Sequence, residues 1–92
     1  MKLICALRDS KAEAFLPPFV IDSRGLAIRS VGDAVNSSEN TPLSKHPEDF
    51  GLYELATFDE LKGIIDPHAL PIAVINCIEL VGSKNPPLRV AE

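Results

Sequence analysis

GLYELATFDELKGII, residues 51–65, carries an alternating strand pattern together with the turn that ends it. Its first nine residues alternate. Tyr53, Leu55 and Thr57 project to one side of an extended chain, and Leu52, Glu54, Ala56 and Phe58 to the other, which is the two-residue period of a strand. A loop of a few residues follows. Gly63 closes it at a position where a positive φ costs little, and Ile64 and Ile65 begin the return strand. Strands joined by so short a loop pair antiparallel, so the expected sheet is mostly antiparallel.

The flanking segments fill out that sheet. Just upstream, HPEDF (residues 46–50) suits one helical turn, with Pro47 first and Glu48 and Asp49 favoured near its N-terminus. SSENTPLSK (37–45) reads as a polar loop. DSRGLAIRSVGDAVN (22–36) is the best helix. Asp22 or Ser23 can cap it, and Ala27, Ile28, Val31, Ala34 and Val35 form one apolar stripe. KLICALR (2–8) reads as a strand apolar on both faces, which predicts a central position. DSKAEAF (9–15) reads as a turn or loop, and Pro17 and Pro18 delay the next strand to Phe19, at an edge. Downstream, Pro67 and Pro71 bound another connection. PIAVINCIEL (71–80), with four β-branched residues between Ile72 and Ile78, reads as a buried strand.

The expected architecture is α+β, one helix packed on a mostly antiparallel sheet of about four to five strands. Residues 1–80 form a single domain, and residues 81–92 are read as an extended or mobile tail. A single helix covers only one face of such a sheet. The other face must meet solvent, a ligand or a second copy, which predicts a homo-oligomer.

Composition narrows the class. Apolar residues make up 46% of the 92 and charged residues 24%, as in soluble globular domains. With no Trp and 5% aromatics, the core must be aliphatic. Cys5 and Cys77 lie in apolar runs and read as buried free thiols in a reducing compartment. The apolar runs are too short for a signal peptide or for the roughly 20 residues of a membrane helix. The expectation is a cytosolic protein with no membrane partner. The net charge of −4 is uneven: residues 1–45 hold six basic groups against five acids, residues 46–92 three against eight. Overall acidity excludes a strongly electrostatic DNA binder, but leaves room for a basic face on the N-terminal half.

Little in the chain reads as catalysis. His46, Glu48 and Asp49 stand too close in sequence to make an unstrained three-point metal site, and no H-E-x-x-H pattern occurs. A site of His46, His68 and an acid would require the two histidines to converge. No G-x-S-x-G, P-loop or dinucleotide fingerprint is present. The expectation is a non-enzyme with no cofactor and no metal. More telling are the cations Arg8, Lys11, Arg24, Arg29 and Lys45, with Phe15, Phe19 and Tyr53 near them in the predicted elements. Cations that track phosphates beside rings that stack on bases make a single-strand binding surface. The same cations paired with Asp9, Asp22 and Asp33 would make an ordinary solvated surface.

The succession LRDSKAEAF, RGLAIRSVGDAVN and HPEDFGLYELATFD, followed by a glycine four residues on, resembles the small nonstructural protein of gokushovirus-like microviruses. These are tailless phages with circular single-stranded DNA. The resemblance spans about residues 1–75 of the chain. It implies a non-enzymatic, replication-associated protein of the host bacterial cytoplasm, acting around the switch to single-strand synthesis and packaging. It carries over no catalytic residues. The functional expectation is a single-stranded DNA binder that uses the eight cationic and aromatic residues above. The alternative is a module that binds a phage replication or capsid-assembly protein, or a host replication factor, through the acidic C-terminal half.

Overall fold

The computed structural model describes residues 1–82. In chain order its elements are β1 (Lys2–Asp9), β2 (Ala14–Phe15), β3 (Phe19–Ile21), α1 (Arg24–Val35), α2 (Pro42–Lys45), a 3-10 turn (Pro47–Asp49), β4 (Phe50–Asp59), β5 (Ile64–Asn76) and a second 3-10 turn (Cys77–Leu80). The fold is α+β, with one main helix against a curled five-stranded sheet whose strand pairs are all antiparallel.

β1 is central, as its two apolar faces require. One edge pairs with β4 from Lys2 to Asp9; the other pairs with β3 at Leu3–Cys5 and with β2 at Arg8–Asp9. Leu3, Cys5 and Leu7 turn toward α1, while Ile4, Ala6 and Arg8 turn to the opposite face, here called the open face. On α1, Ala27, Val31 and Val35 are buried against Cys5, Phe50 and Leu52, and Cys77 and Leu80 close the cluster. Leu52 is fully buried, which alone removes enough apolar surface to stabilise the fold by about 1.5–3 kcal/mol. Both thiols are buried and free.

Local chemistry sets the ends of α1. Ser23 is the N-cap and accepts from the Leu26 N–H at 3.2 Å. At the other end the Asn36 side chain donates to the carbonyls of Gly32 and Leu80, both at 2.8 Å, and its Oδ1 accepts from the Gly82 N–H at 2.6 Å. One amide thus terminates the helix and ties it to the chain that follows β5.

Four sequence expectations need correction. The polar loop contains a helical turn, α2, whose cap Thr41 accepts from the Ser44 N–H while Ser44 Oγ accepts from the Thr41 N–H. DSKAEAF is a hairpin that returns as β2, with Glu13 in the left-handed region at φ 57. Pro67 and Pro71 do not bound a connection. β5 runs through both, because an outer strand needs ladder bonds on one side only. For the same reason Ile72–Asn76 is an edge and not a buried strand, and Cys77–Leu80 turns off as 3-10 helix. Gly63 does stand at φ 70 in the β4–β5 turn. The expected tail lies outside the described residues, apart from Val81 and Gly82.

The alternation in β4 also breaks. Cys5 pairs with Glu54 and Ile4 with Ala56, so Leu55 is an extra residue against β1. Against β5, Leu55 alone faces the four residues His68–Pro71, since Glu54 pairs with Ile72 and Ala56 with Pro67. Leu52 and Glu54 therefore face α1, while Tyr53, Ala56 and Phe58 share the open face with Ala6, Ile4 and Lys2.

Candidate nucleic-acid interface

The open face carries an aromatic pair beside a cation. Arg8 on β1 is the cross-strand partner of Phe15 on β2, and next to Arg8 on β1 Ala6 pairs with Tyr53. The rings of Phe15 and Tyr53 meet edge to face, centroids 5.4 Å apart at 76°. Gly51 makes room for this. A Cβ there would lie 3.1 Å from Tyr53 Cε1, so the bare backbone lets the tyrosine ring lie over the strand. Phe15 is 40% exposed. A shallow cleft of about 120 Å³ adjoins the pair, lined by Arg8, Ser10, Glu48, Asp49, Tyr53 and Asn76 among others. Lys11 stands exposed in the β1–β2 turn, where its own N–H and that of Ala12 donate to Asp9 Oδ1.

The eight residues picked from the sequence divide into two groups. Arg8, Phe15 and Tyr53 come together at the β1–β2 end of the open face, with Lys11 in the adjoining turn. Phe19, Arg24, Arg29 and Lys45 belong to the helix side. Phe19 pairs with Cys5 and packs on the core. Arg29 is exposed on α1, and Lys45 ends α2. Arg24, the first residue of α1, is committed elsewhere: Nη2 and Nε donate to Glu54 Oε1 at 2.7 and 3.3 Å. The other carboxylate oxygen of Glu54 lies 2.7 Å from His68 Nε2.

This Arg24–Glu54–His68 group is the feature that sequence reasoning missed. Glu54 is buried on the helix side of the sheet, where an unpaired carboxylate would be costly. The four-residue bulge of β5 brings His68 back to it. The Arg24 hydrogen bonds, helped by His68 and opposed by burial, hold the Glu54 carboxyl below its ordinary range. The clue was present in the pattern, since Glu54 falls in register with Leu52. His68 thus converges on Glu54 and not on His46.

His46, Glu48 and Asp49 do come together, against expectation. The 3-10 turn winds tightly enough to bring their ligand atoms within 4.8 Å of one another, despite their closeness in sequence. His46 Nδ1 is 3.5 Å from Glu48 Oε2. His46 and Glu48 are exposed, and Glu48 and Asp49 share the cleft with Arg8, so the local field there is mixed. At the far end of the open face Lys2 pairs with Asp22 and Glu60, and the Asp22 hydrogen bond raises the Lys2 pKa. Among the described residues Arg8, Lys11, Arg29 and Lys45 make no close ion pair.

The model of the Phage ORF5 protein family matches residues 2–80, from β1 through the second 3-10 turn. The chain belongs to the Phage ORF5 family. No curated protein and no solved structure matches it. For this Phage ORF5 protein the matched stretch covers every described strand and helix, the aromatic pair and the buried charge group, and stops before the last twelve residues. No helix among the described residues is long and apolar enough to cross a membrane.

Proposed function

We propose that this Phage ORF5 protein is a non-enzymatic accessory protein that binds single-stranded DNA, during genome replication or at the switch to single-strand synthesis and packaging. The observation that carries the reading is the meeting of Arg8, Phe15 and Tyr53 on the sheet face that α1 leaves open. A sheet surface with two rings and an adjacent guanidinium offers bases a stacking platform and a phosphate a partner. Lys11 extends the positive edge beyond the hairpin turn. The resemblance to the microvirus nonstructural protein supports a single-stranded genome as the ligand and the host bacterial cytoplasm as its place. Arg24 drops out of the binding set because Glu54 holds it, and Arg29 and Lys45 face another side.

The test is fluorescence anisotropy with a labelled oligothymidine across a salt series. Arg8→Glu should weaken binding and lower the salt slope by about 0.7 for each phosphate that is no longer neutralised. Tyr53→Ala should weaken binding by about 1–3 kcal/mol, the usual worth of one stacked base. Arg29→Glu should leave affinity within a factor of about two once the bulk charge change is allowed for. Wild-type affinity in folded Arg8→Glu and Tyr53→Ala variants would refute the site, and no binding at low salt would refute the function.

A second reading has one observation in its favour. The outer strand β5 exposes Ile64, Ile65, Leu70 and Ile72, each more than 40% accessible, beside an edge with no partner strand among the described residues. Apolar rows of this kind fit a protein partner, either a second copy or a phage or host replication protein. Sedimentation equilibrium separates these: self-association would appear with the purified chain alone.

A further inference from the structure

The 3-10 turn between α2 and β4 brings together donors of two chemical kinds. His46 supplies an imidazole nitrogen, Glu48 and Asp49 supply carboxylate oxygens, and the three ligand atoms lie within 4.8 Å of one another. A tetrahedral ion with bonds of about 2.0–2.2 Å holds its ligand atoms about 3.4 Å apart. His46 Nδ1 already stands 3.5 Å from Glu48 Oε2. Both side chains are exposed, so drawing the remaining atom in takes a rotamer adjustment on the order of 1 Å and no change of backbone.

We infer that His46, Glu48 and Asp49 form a binding site for a divalent transition-metal ion of the zinc class. One imidazole with two carboxylates suits zinc better than magnesium or calcium, which take oxygen ligands. Three protein ligands leave a coordination position open.

Two further observations support the site. The first is that its backbone is held in place. The His46 N–H donates to the Pro42 carbonyl at 2.8 Å and the Asp49 N–H to the His46 carbonyl at 3.0 Å, while the Asp49 carbonyl accepts from the Ser10 N–H at 2.9 Å. Pro47 and Phe50, on either side of the two acids, are buried. The donors are thus placed before an ion arrives, which lowers the ordering cost of binding. The second is unmet charge. Asp49 is partly buried, yet its carboxylate makes no hydrogen bond or ion pair among the described residues, and Glu48 has only His46. Both acids line the cleft beside Arg8 without pairing with it. A bound cation offsets the cost of that partly desolvated carboxylate.

The ion would also change the cleft. One arginine against two acids leaves its charged lining negative, and a bound dication makes it positive. Where the open face binds DNA, which rests on the reading above, the repulsion between these acids and a phosphate at Arg8 is then removed. The metal site itself does not depend on that reading.

The experiment is calorimetric titration of the full chain with zinc chloride, followed in parallel by the NMR signals of the two imidazole rings. Cys5 and Cys77 are fully buried and do not compete for the ion in the folded protein. One ion per chain is expected, with the His46 signals moving and those of His68, which Glu54 engages, staying in place. His46→Gln and Asp49→Asn should each weaken binding more than about tenfold, and Asp33→Asn on α1 should leave it unchanged. An equal concentration of magnesium should not displace zinc. Still His46 signals at millimolar zinc would overturn the proposal, as would native affinity in His46→Gln or Asp49→Asn. Displacement by equal magnesium would reveal a diffuse acidic surface and overturn it too. No arm uses DNA, so failure here is separate from failure of the stacking face.

Discussion

Glu54→Gln is the sharpest probe of how the helix is held on the sheet. The substitution keeps the shape of the side chain and removes its charge. In the native protein Oε1 accepts from Arg24 Nη2 at 2.7 Å, and Oε2 lies 2.7 Å from His68 Nε2. A glutamine amide can still accept from Arg24 through its oxygen, but it then turns its NH₂ toward His68 Nε2, so both contacts lose their charge and the imidazole must shift its proton to Nδ1 to keep the second. Hydrogen bonds to charged groups contribute about 1.5–3 kcal/mol each. The Arg24 side chain is half exposed and rehydrates when released, so its share falls to the surface-pair range of about 0–1 kcal/mol. His68 is only 23% exposed and keeps most of its share. The expected loss is about 2 kcal/mol at pH 7, a fall in Tm of about 8–16 °C for a domain of this size. The pH dependence has a definite sign. Because the folded carboxyl is held below its usual range, its stabilisation is complete above the unfolded carboxylate value of about 4.3 and is lost as pH falls through the lower folded value. Urea melts of both proteins at pH 7 and through that acid window are the assay. Equal stability at pH 7 would overturn this account of Glu54, and so would a difference that persists in acid, where the carboxyl is already neutral.

Three further outcomes are expected. Gly51→Ala should shift the Tyr53 ring by a few tenths of an ångström, because the new methyl would lie 3.1 Å from Cε1. Ring-current shifts of Phe15 should change measurably while Tm stays nearly unchanged, and unaltered shifts would refute the close approach of ring and strand. Ser23→Ala removes the cap of α1 and should cost about 1 kcal/mol by chemical denaturation. Burial pushes the Cys77 thiol up to about 11, so at pH 8 only about one thiol in a thousand is ionised. A disulfide reagent at that pH should label Cys77 in urea and leave it untouched in the native protein over the same minutes.

The main frame is legible in the sequence because period and position agree. KLICALR is apolar on both faces and is the central strand. The cap and stripe of α1 are where Ser23, Ala27, Val31 and Val35 place them, although Ala34 faces outward. What stays hidden depends on contacts between distant residues. The break in β4 at Leu55 arises only when β1 and β5 are laid against it, and nothing local marks it. The end of β5 reads as a buried strand because β-branched residues fit an exposed edge as well as a core. Of the eight residues chosen for binding, Arg8, Phe15 and Tyr53 share the open face because the β1–β2 hairpin folds Phe15 back beside Arg8, and a two-residue strand leaves no period to read. Arg24 separates from the cation set only through Glu54, thirty residues away, which lies beneath it.

The placement of β1 has a consequence for how the chain is made. Of the described strands, the one synthesised first is the middle strand of the sheet, and Lys2 pairs with Phe58. By Ile21 one edge of β1 has a partner in β2 and β3, but the edge that β4 will occupy stays open until residues 50–59 have been synthesised. At about 5–20 residues per second that wait is on the order of 2–10 s. For at least that interval the nascent chain displays one unpaired strand edge, so its exposure to aggregation lengthens as translation slows.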